Sequence, residues 1–149
     1  MKIYIAASSV EHARALAKKL TAAGHEVTSS WIKTGFTPRG SHQDVERAQE
    51  AKRDLMDVTA ADALVLLSDE ENVPGGKHVE FGYAIALGKK VYVIGRRENI
   101  FHWHSWVTVF PNEDAFLHAF VKADPRKCEI CGLTLTPAFN YVRCLNLIP

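Results

Sequence analysis

Short apolar runs rich in β-branched residues alternate along the chain with longer stretches whose apolar positions recur every three or four residues. These two periods predict strands and helices in turn. Lys2 to Ala7 reads as a buried parallel strand. Ser8-Ser9-Val10-Glu11 then forms a capping box, in which the Ser8 hydroxyl accepts from a backbone N–H three residues on while Glu11 reaches back. The helix it starts carries Ala13, Leu16, Leu20 and Ala23 on one face and stops at Gly24. His25 to Ile32 reads as a second strand, completing a βαβ unit with a right-handed crossover. Lys33 to His42 holds two Gly and one Pro among polar residues, so it predicts a surface loop. A second helix spans Asp44 to Ala60, with Val45, Ala48, Ala51, Leu55 and Val58 as its apolar stripe. Ala63 to Ser68 is the most apolar run and therefore the central strand.

Asp69 to His78, with Pro74-Gly75-Gly76, reads as a loop, and a helix restarts over Val79 to Leu87 until Gly88 ends it. Val91 to Gly95 and Trp106 to Val109 supply two more strands, and Asn112 begins a last helix through Ala119 and Lys122. This order predicts an α/β fold, a doubly wound parallel sheet of five strands with helices on both faces. Its ligand crevice lies beyond the strand C-termini. Three segments fall at that rim: Ala6 to Glu11, Ser68 to Glu80 and Gly95 to His104.

Composition narrows the partners. The 149 residues, 47% hydrophobic, suit one domain, and 18 Lys and Arg against 17 Asp and Glu create no broad field for a nucleic acid polymer or an anionic membrane. No apolar run exceeds a strand's length, and the N-terminus has no signal-peptide pattern, so the expected location is cytoplasmic. Three cysteines, Cys128, Cys131 and Cys144, cannot close a disulfide framework. Cys128-Glu129-Ile130-Cys131 looks like half a zinc knuckle, but no His follows to complete a tetrahedral set, so reduced free thiols and no metal are expected.

The chemistry concentrates at Gly75-Gly76-Lys77-His78-Val79-Glu80. The glycine pair lets backbone approach a ligand closely, and a carboxylate in the first turn of the following helix would stay ionised. Such an anion can attack an anomeric carbon or stabilise an oxocarbenium-like centre; it can equally be a solvated partner of the helix dipole. The run Asp62-Ala63-Leu64-Val65-Leu66-Leu67, followed by Gly75 through Lys89 with Glu80-x-Gly82-Tyr83-Ala84-x-x-x-Gly88-Lys89, resembles the nucleoside 2-deoxyribosyltransferase family, which includes 2′-deoxynucleoside 5′-phosphate N-hydrolases. The resemblance extends from Lys2 to about Phe120. It implies a flavodoxin-like form of the predicted fold in a domain over 1–123, with the tail 124–149 outside it.

The resemblance further implies that Glu80 is a nucleophile forming a glycosyl-enzyme intermediate, that Tyr4 on the first strand orients it, and that Asp54, in the Asp54-Leu55 pair, directs a carboxylate toward sugar or base. One departure is plain. Free-nucleoside transferases carry an Asp six residues before the nucleophile, where this chain has Pro74; Asp69, Glu70, Glu71 or Asn72 would have to substitute. That brings the nucleotide hydrolases closer, and with them a 5′-phosphate site at Ser8 and Ser9, where a helix N-terminus suits anions and a structural cap alike. Gly75, Gly76 and His78 are further substrate-binding candidates, and His102 and His104, flanking Trp103, could stack on or bond a base.

The expected function is therefore cleavage or transfer at the N-glycosidic bond of a nucleoside or its 5′-monophosphate, without metal or organic cofactor. The substrate is a small molecule, and the resemblance implies a homo-oligomer whose pockets are completed by a neighbouring subunit. A non-catalytic nucleotide-binding sensor is the alternative, since one fold hosts many functions.

Overall fold

The computed structural model describes residues 1–35, 44–68 and 75–121. Five parallel strands, β1 (Lys2–Ala6), β2 (Glu26–Val27), β3 (Ala63–Ser68), β4 (Lys90–Gly95) and β5 (Val107–Phe110), form one sheet in the order β2-β1-β3-β4-β5. β3 is buried along its whole length and is hydrogen-bonded to both β1 and β4, as its unbroken apolar run requires.

The chain steps from β1 to β2 in one direction and then from β3 through β5 in the other. Right-handed crossovers therefore put α1 (Val10–Ala22) on one face and both α3 (Asp44–Ala60) and α4 (Gly76–Ala86) on the opposite face. The last two accordingly pack against each other and against β1. The direction reverses between β1 and β3, so the crevice of a doubly wound sheet opens at their C-terminal ends, beneath α4. Residues Met1–Glu113 make one compact unit. From Asp114 the chain belongs to a second, within which the stacked rings of Phe116 and Phe120 lie on α5 (Glu113–Val121).

Four expectations need correction. The expected second strand, His25 to Ile32, pairs only over Glu26–Val27, and Trp31–Thr34 form the short helix α2. Side chains take over where the ladder stops: the Ser29 hydroxyl accepts from the Ile5 N–H (2.6 Å) and donates to the Ile5 carbonyl, while Ser30 donates its N–H and hydroxyl to Asp57. The helix cap is Ser9 rather than Ser8, with Ser9 Oγ accepting from the His12 N–H at 3.2 Å. Of the expected α3 stripe only Val58 is fully buried, and Val45 is 68% exposed. A helix of 17 residues spans about 25 Å and outruns a six-residue strand of about 20 Å, so about one turn of it has no strand to cover. Finally, α4 begins at Gly76, three residues earlier than expected, which moves Glu80 from the first turn into the second.

Candidate active site

Tyr4 lies on β1 and Asp54 on the half of α3 that packs down, while Glu80 lies on α4. The fold brings these three sequence-predicted residues together, because β1, α3 and α4 meet on one face of the sheet. Tyr4 is fully buried. Its hydroxyl and Asp54 Oδ1 are both buried atoms with no hydrogen-bond partner among the described residues. Such groups cost about 1–3 kcal/mol each while unbonded.

Burial lifts the Glu80 carboxyl to about 8; the Tyr4 hydroxyl works against that rise, and Asp54 adds to it. The expectation of an ionised group held by the helix dipole is thus overturned: displaced from the first turn and desolvated, Glu80 is mostly protonated at neutral pH. Asp54 is raised to about 6, first by burial and then by Asp57, with Arg53 opposing. The Tyr4 phenol is driven upward by burial and then by the neighbouring Glu80 and Asp54, so it stays a neutral donor. Three coupled oxygen acids thus gather between β1, α3 and α4, a grouping of perturbed titratable residues that marks a candidate site.

The other predicted residues divide. Gly75 and Gly76 are exposed at the start of α4, with nothing within 4 Å of where a Cβ would stand, so that turn is open to approach. Ser8 and Ser9 are half-buried at the start of α1, where Ser9 Oγ also donates to Glu11 at 3.3 Å. His78 points elsewhere. Two residues from Glu80 is about 200° around a helix, and its ring joins the β4–β5 segment, with Nε2 3.1 Å from Glu98 and Nδ1 3.2 Å from the Asn99 amide. His102 is completely buried against Phe81, their ring centroids 4.8 Å apart, so it presents no stacking face to a base. Trp103 is covered on one side by the Arg97 guanidinium at 5.1 Å. Residues 69–74, with Pro74 and its four acidic or amide substitutes, lie outside the described residues, as do Cys128, Cys131 and Cys144.

Lys77, Glu98 and Asn99 fall within the rim segments of the sequence reading but were given no role there. Lys77 is 3% exposed, and its ammonium donates to Glu98 Oε1 (2.8 Å) and to the Leu67 carbonyl at the end of β3. One signal was available: Lys77, Phe81 and Ala84 form the buried stripe of α4, so a cation occupies an apolar position of the helical repeat. Burial works to raise the Glu98 carboxyl, but Lys77, Ser68 and His78 outweigh it and hold the group below the usual carboxylate range.

His78, Glu98 and His102 offer ligand atoms within 4.8 Å of one another, the right types for a divalent metal. Two features oppose that use. Lys77 already neutralises the carboxylate, and both His102 nitrogens are engaged within the chain, Nδ1 accepting from the Glu98 N–H and Nε2 meeting the Asn99 amide at 3.4 Å.

Comparison with known proteins agrees with the geometry. The family model described as nucleoside 2-deoxyribosyltransferase matches residues 3–117. Among solved structures, the chain is similar to a CMP N-glycosidase of Clostridium botulinum, BcmB, at 20% identity and TM-score 0.56, covering 80% of this chain and 97% of that one. It is also similar to a 2-deoxyribosyltransferase from the psychrotolerant bacterium Bacillus psychrosaccharolyticus, at 22% identity and TM-score 0.58, covering 71% and 88%. No curated protein sequence matches.

Proposed function

Because the chain belongs to the nucleoside 2-deoxyribosyltransferase family, and is an enzyme of that N-glycosidic kind, we propose that Glu80 is its nucleophile and that a nucleoside or nucleoside 5′-monophosphate is its substrate. The observation that carries this reading is the half-buried Glu80 carboxyl gathered with Tyr4 and Asp54, whose Oη and Oδ1 are buried with no partner at ordinary hydrogen-bond distance. Sugar hydroxyls supply the partners those atoms lack. Deprotonated Glu80 attacks C1′; the C1′–N bond breaks, and the base leaves with the bonding electrons and takes up a proton. Water or a second base then attacks C1′, gives up a proton, and frees the carboxylate. Positive charge growing on the sugar ring favours the ionised form of Glu80 at the moment it is needed. Tyr4, neutral and fixed in the sheet, steadies the carboxylate. Incubation with a panel of deoxynucleosides, ribonucleosides and their monophosphates, with and without an acceptor base, tests this by chromatography. Release or exchange of base is expected, and a panel with neither would overturn it.

The 5′ end is read by the start of α1. Ser8 stands beside the first turn of a 13-residue helix, where backbone N–H groups and the dipole favour a phosphate, although Glu11 in the same turn opposes it. Since Ser9 is the cap, Ser8→Ala leaves the helix start intact. The variant should lose about tenfold in kcat/KM for the monophosphate relative to the free nucleoside, the value of one charge-assisted hydrogen bond. Equal losses on both substrates would return the assignment to a free-nucleoside transferase.

A homo-oligomer belongs to the same reading. Val79, Ile100, Phe101, Trp103 and Trp106 are 61–78% exposed. Val79 and Phe101 line one groove, and His104, in the same groove, meets Trp106 edge-on at 5.0 Å. With aromatic side chains of about 150–250 Å² each, this face offers on the order of 700 Å², close to what one partner of a standard interface buries. Light scattering should report at least a dimer at assay concentration; a fully active monomer would contradict it. Among the described residues no helix is long and apolar enough to cross a membrane.

A further inference from the structure

Helix α4 carries Glu80 yet begins without a side-chain cap. Its N-cap is Gly75, the next residue is Gly76, and neither glycine has a neighbour within 4 Å of its Cβ direction. Two glycines and no side-chain cap make a weak helix start, because the backbone is free and the first turn is held only by the His78 and Val79 N–H groups donating to the Gly75 carbonyl. Glu80 sits only one turn farther along. Something else must hold that turn.

We propose that the buried Lys77–Glu98 pair is a clasp that fixes the first turn of α4 to the sheet rim and so positions Glu80; the inference rests on Glu80 being the nucleophile. Three chain segments meet in the clasp. Lys77 reaches from α4 to the C-terminal end of β3 through the Leu67 carbonyl and to the β4–β5 segment through Glu98. Glu98 is itself anchored: its N–H donates to His102 Nδ1, and His102 is buried against Phe81, one turn beyond Lys77 on the same helix. The segment leaves β4 at Gly95, whose φ of +110° and backbone, with a Cβ direction 2.4 Å from the Ser68 carbonyl oxygen, admit no side chain. The Ser68 hydroxyl then donates to the Arg96 carbonyl. Asn99 closes the arrangement, accepting from the Phe101 N–H with its oxygen and meeting His78 Nδ1 with its amide. Lys77 and Glu98 touch no group of the Tyr4, Asp54 and Glu80 cluster, so they act by placement rather than as catalytic residues.

The test compares Glu98→Gln, Lys77→Met and the double variant Lys77→Met/Glu98→Leu in the full chain. Backbone hydrogen exchange over 76–82 and steady-state kinetics are measured on protein shown to be folded by circular dichroism. Each single variant should speed exchange of the α4 first turn at least about tenfold while leaving β1 and β3 protected. It should lower kcat about tenfold or more with KM within about threefold, because a misplaced nucleophile weakens the reaction rather than binding.

The double variant replaces a buried ion pair by apolar groups, a change that tends to be tolerated where breaking one partner is not. It should therefore fold even if a single variant does not, and its kcat loss should be no larger than that of the worse single variant. Wild-type exchange in the α4 turn, losses confined to KM, or losses in the double variant equal to the product of the single ones would overturn the clasp. Exchange is read without substrate, so an enzyme inactive on every nucleoside would defeat the proposed reaction and still leave the clasp to be decided.

Discussion

Glu80→Gln enzyme should fold like the wild type and release base on the order of a thousandfold more slowly or worse, and Glu80→Ala should match it. The size of the effect follows from the chemistry. Removing the nucleophile removes the covalent route rather than weakening one contact, and what persists is only the acceleration that binding and the remaining polar groups supply. The fold should survive because the substitution leaves Phe81 and Ala84, the apolar residues that seat the helix on the sheet, in place. Steady-state and single-turnover base release on the purified variants measure this. Wild-type turnover in a folded Glu80 variant would remove the residue from the mechanism.

The same carboxyl should tie both activity and stability to pH, in opposite directions. Its folded value of about 8 stands above the ordinary 4.5, so between those two the unfolded chain has released a proton that the folded chain still holds. The unfolded state then binds fewer protons, and stability falls as pH rises through the window. Glu80→Gln lacks this slope and should gain on the wild type up to about pH 8, by at most about 5 kcal/mol at roughly 1.4 kcal/mol per pKa unit. Asp54 adds a smaller slope of the same sign between 3.8 and about 6. Catalysis runs the other way. A nucleophile works ionised, so kcat/KM should climb with pH to a plateau above about 8. Thermal melts of both proteins together with a pH–rate profile measure the pair. A profile that falls over the same interval would make Glu80 a proton donor, and equal pH slopes in the two melts would deny it a raised value.

The strand and helix periods carried the architecture because burial enforces them. β3 is sheathed on both faces and its apolar run is unbroken, so its existence and central place could be read directly. β2 could not be read to its end, since Ser29 and Ser30 form bonds to the Ile5 backbone and to Asp57 that propensity does not encode. The start of α4 was hidden by Gly75-Gly76, residues that punctuate loops but here lie at and inside a helix N-terminus. The charge state of Glu80 was hidden too, because it is set by burial, which the motif does not report. Tyr4, Asp54 and Glu80, and the nearness of Tyr4 to Glu80, were legible only through the family resemblance; the pattern of the chain alone does not reveal that two crossovers return α3 and α4 to one face of the sheet. The Lys77–Glu98 pair escaped because its partners are 21 apart in sequence, and the one trace, a cation on the apolar stripe of α4, names no partner.

The stereochemistry at C1′ tests the central claim most directly. Attack by Glu80 followed by attack of an acceptor inverts the anomeric carbon twice, whereas direct attack of the acceptor inverts it once. Turnover of the best nucleoside or nucleotide of the panel in aqueous methanol, followed by proton NMR of the methyl glycoside, distinguishes the two. A β-nucleoside yielding the β-methyl glycoside, in wild type and not in Glu80→Gln, is the result expected of a glycosyl-enzyme on Glu80. The α-methyl glycoside as first product would contradict it.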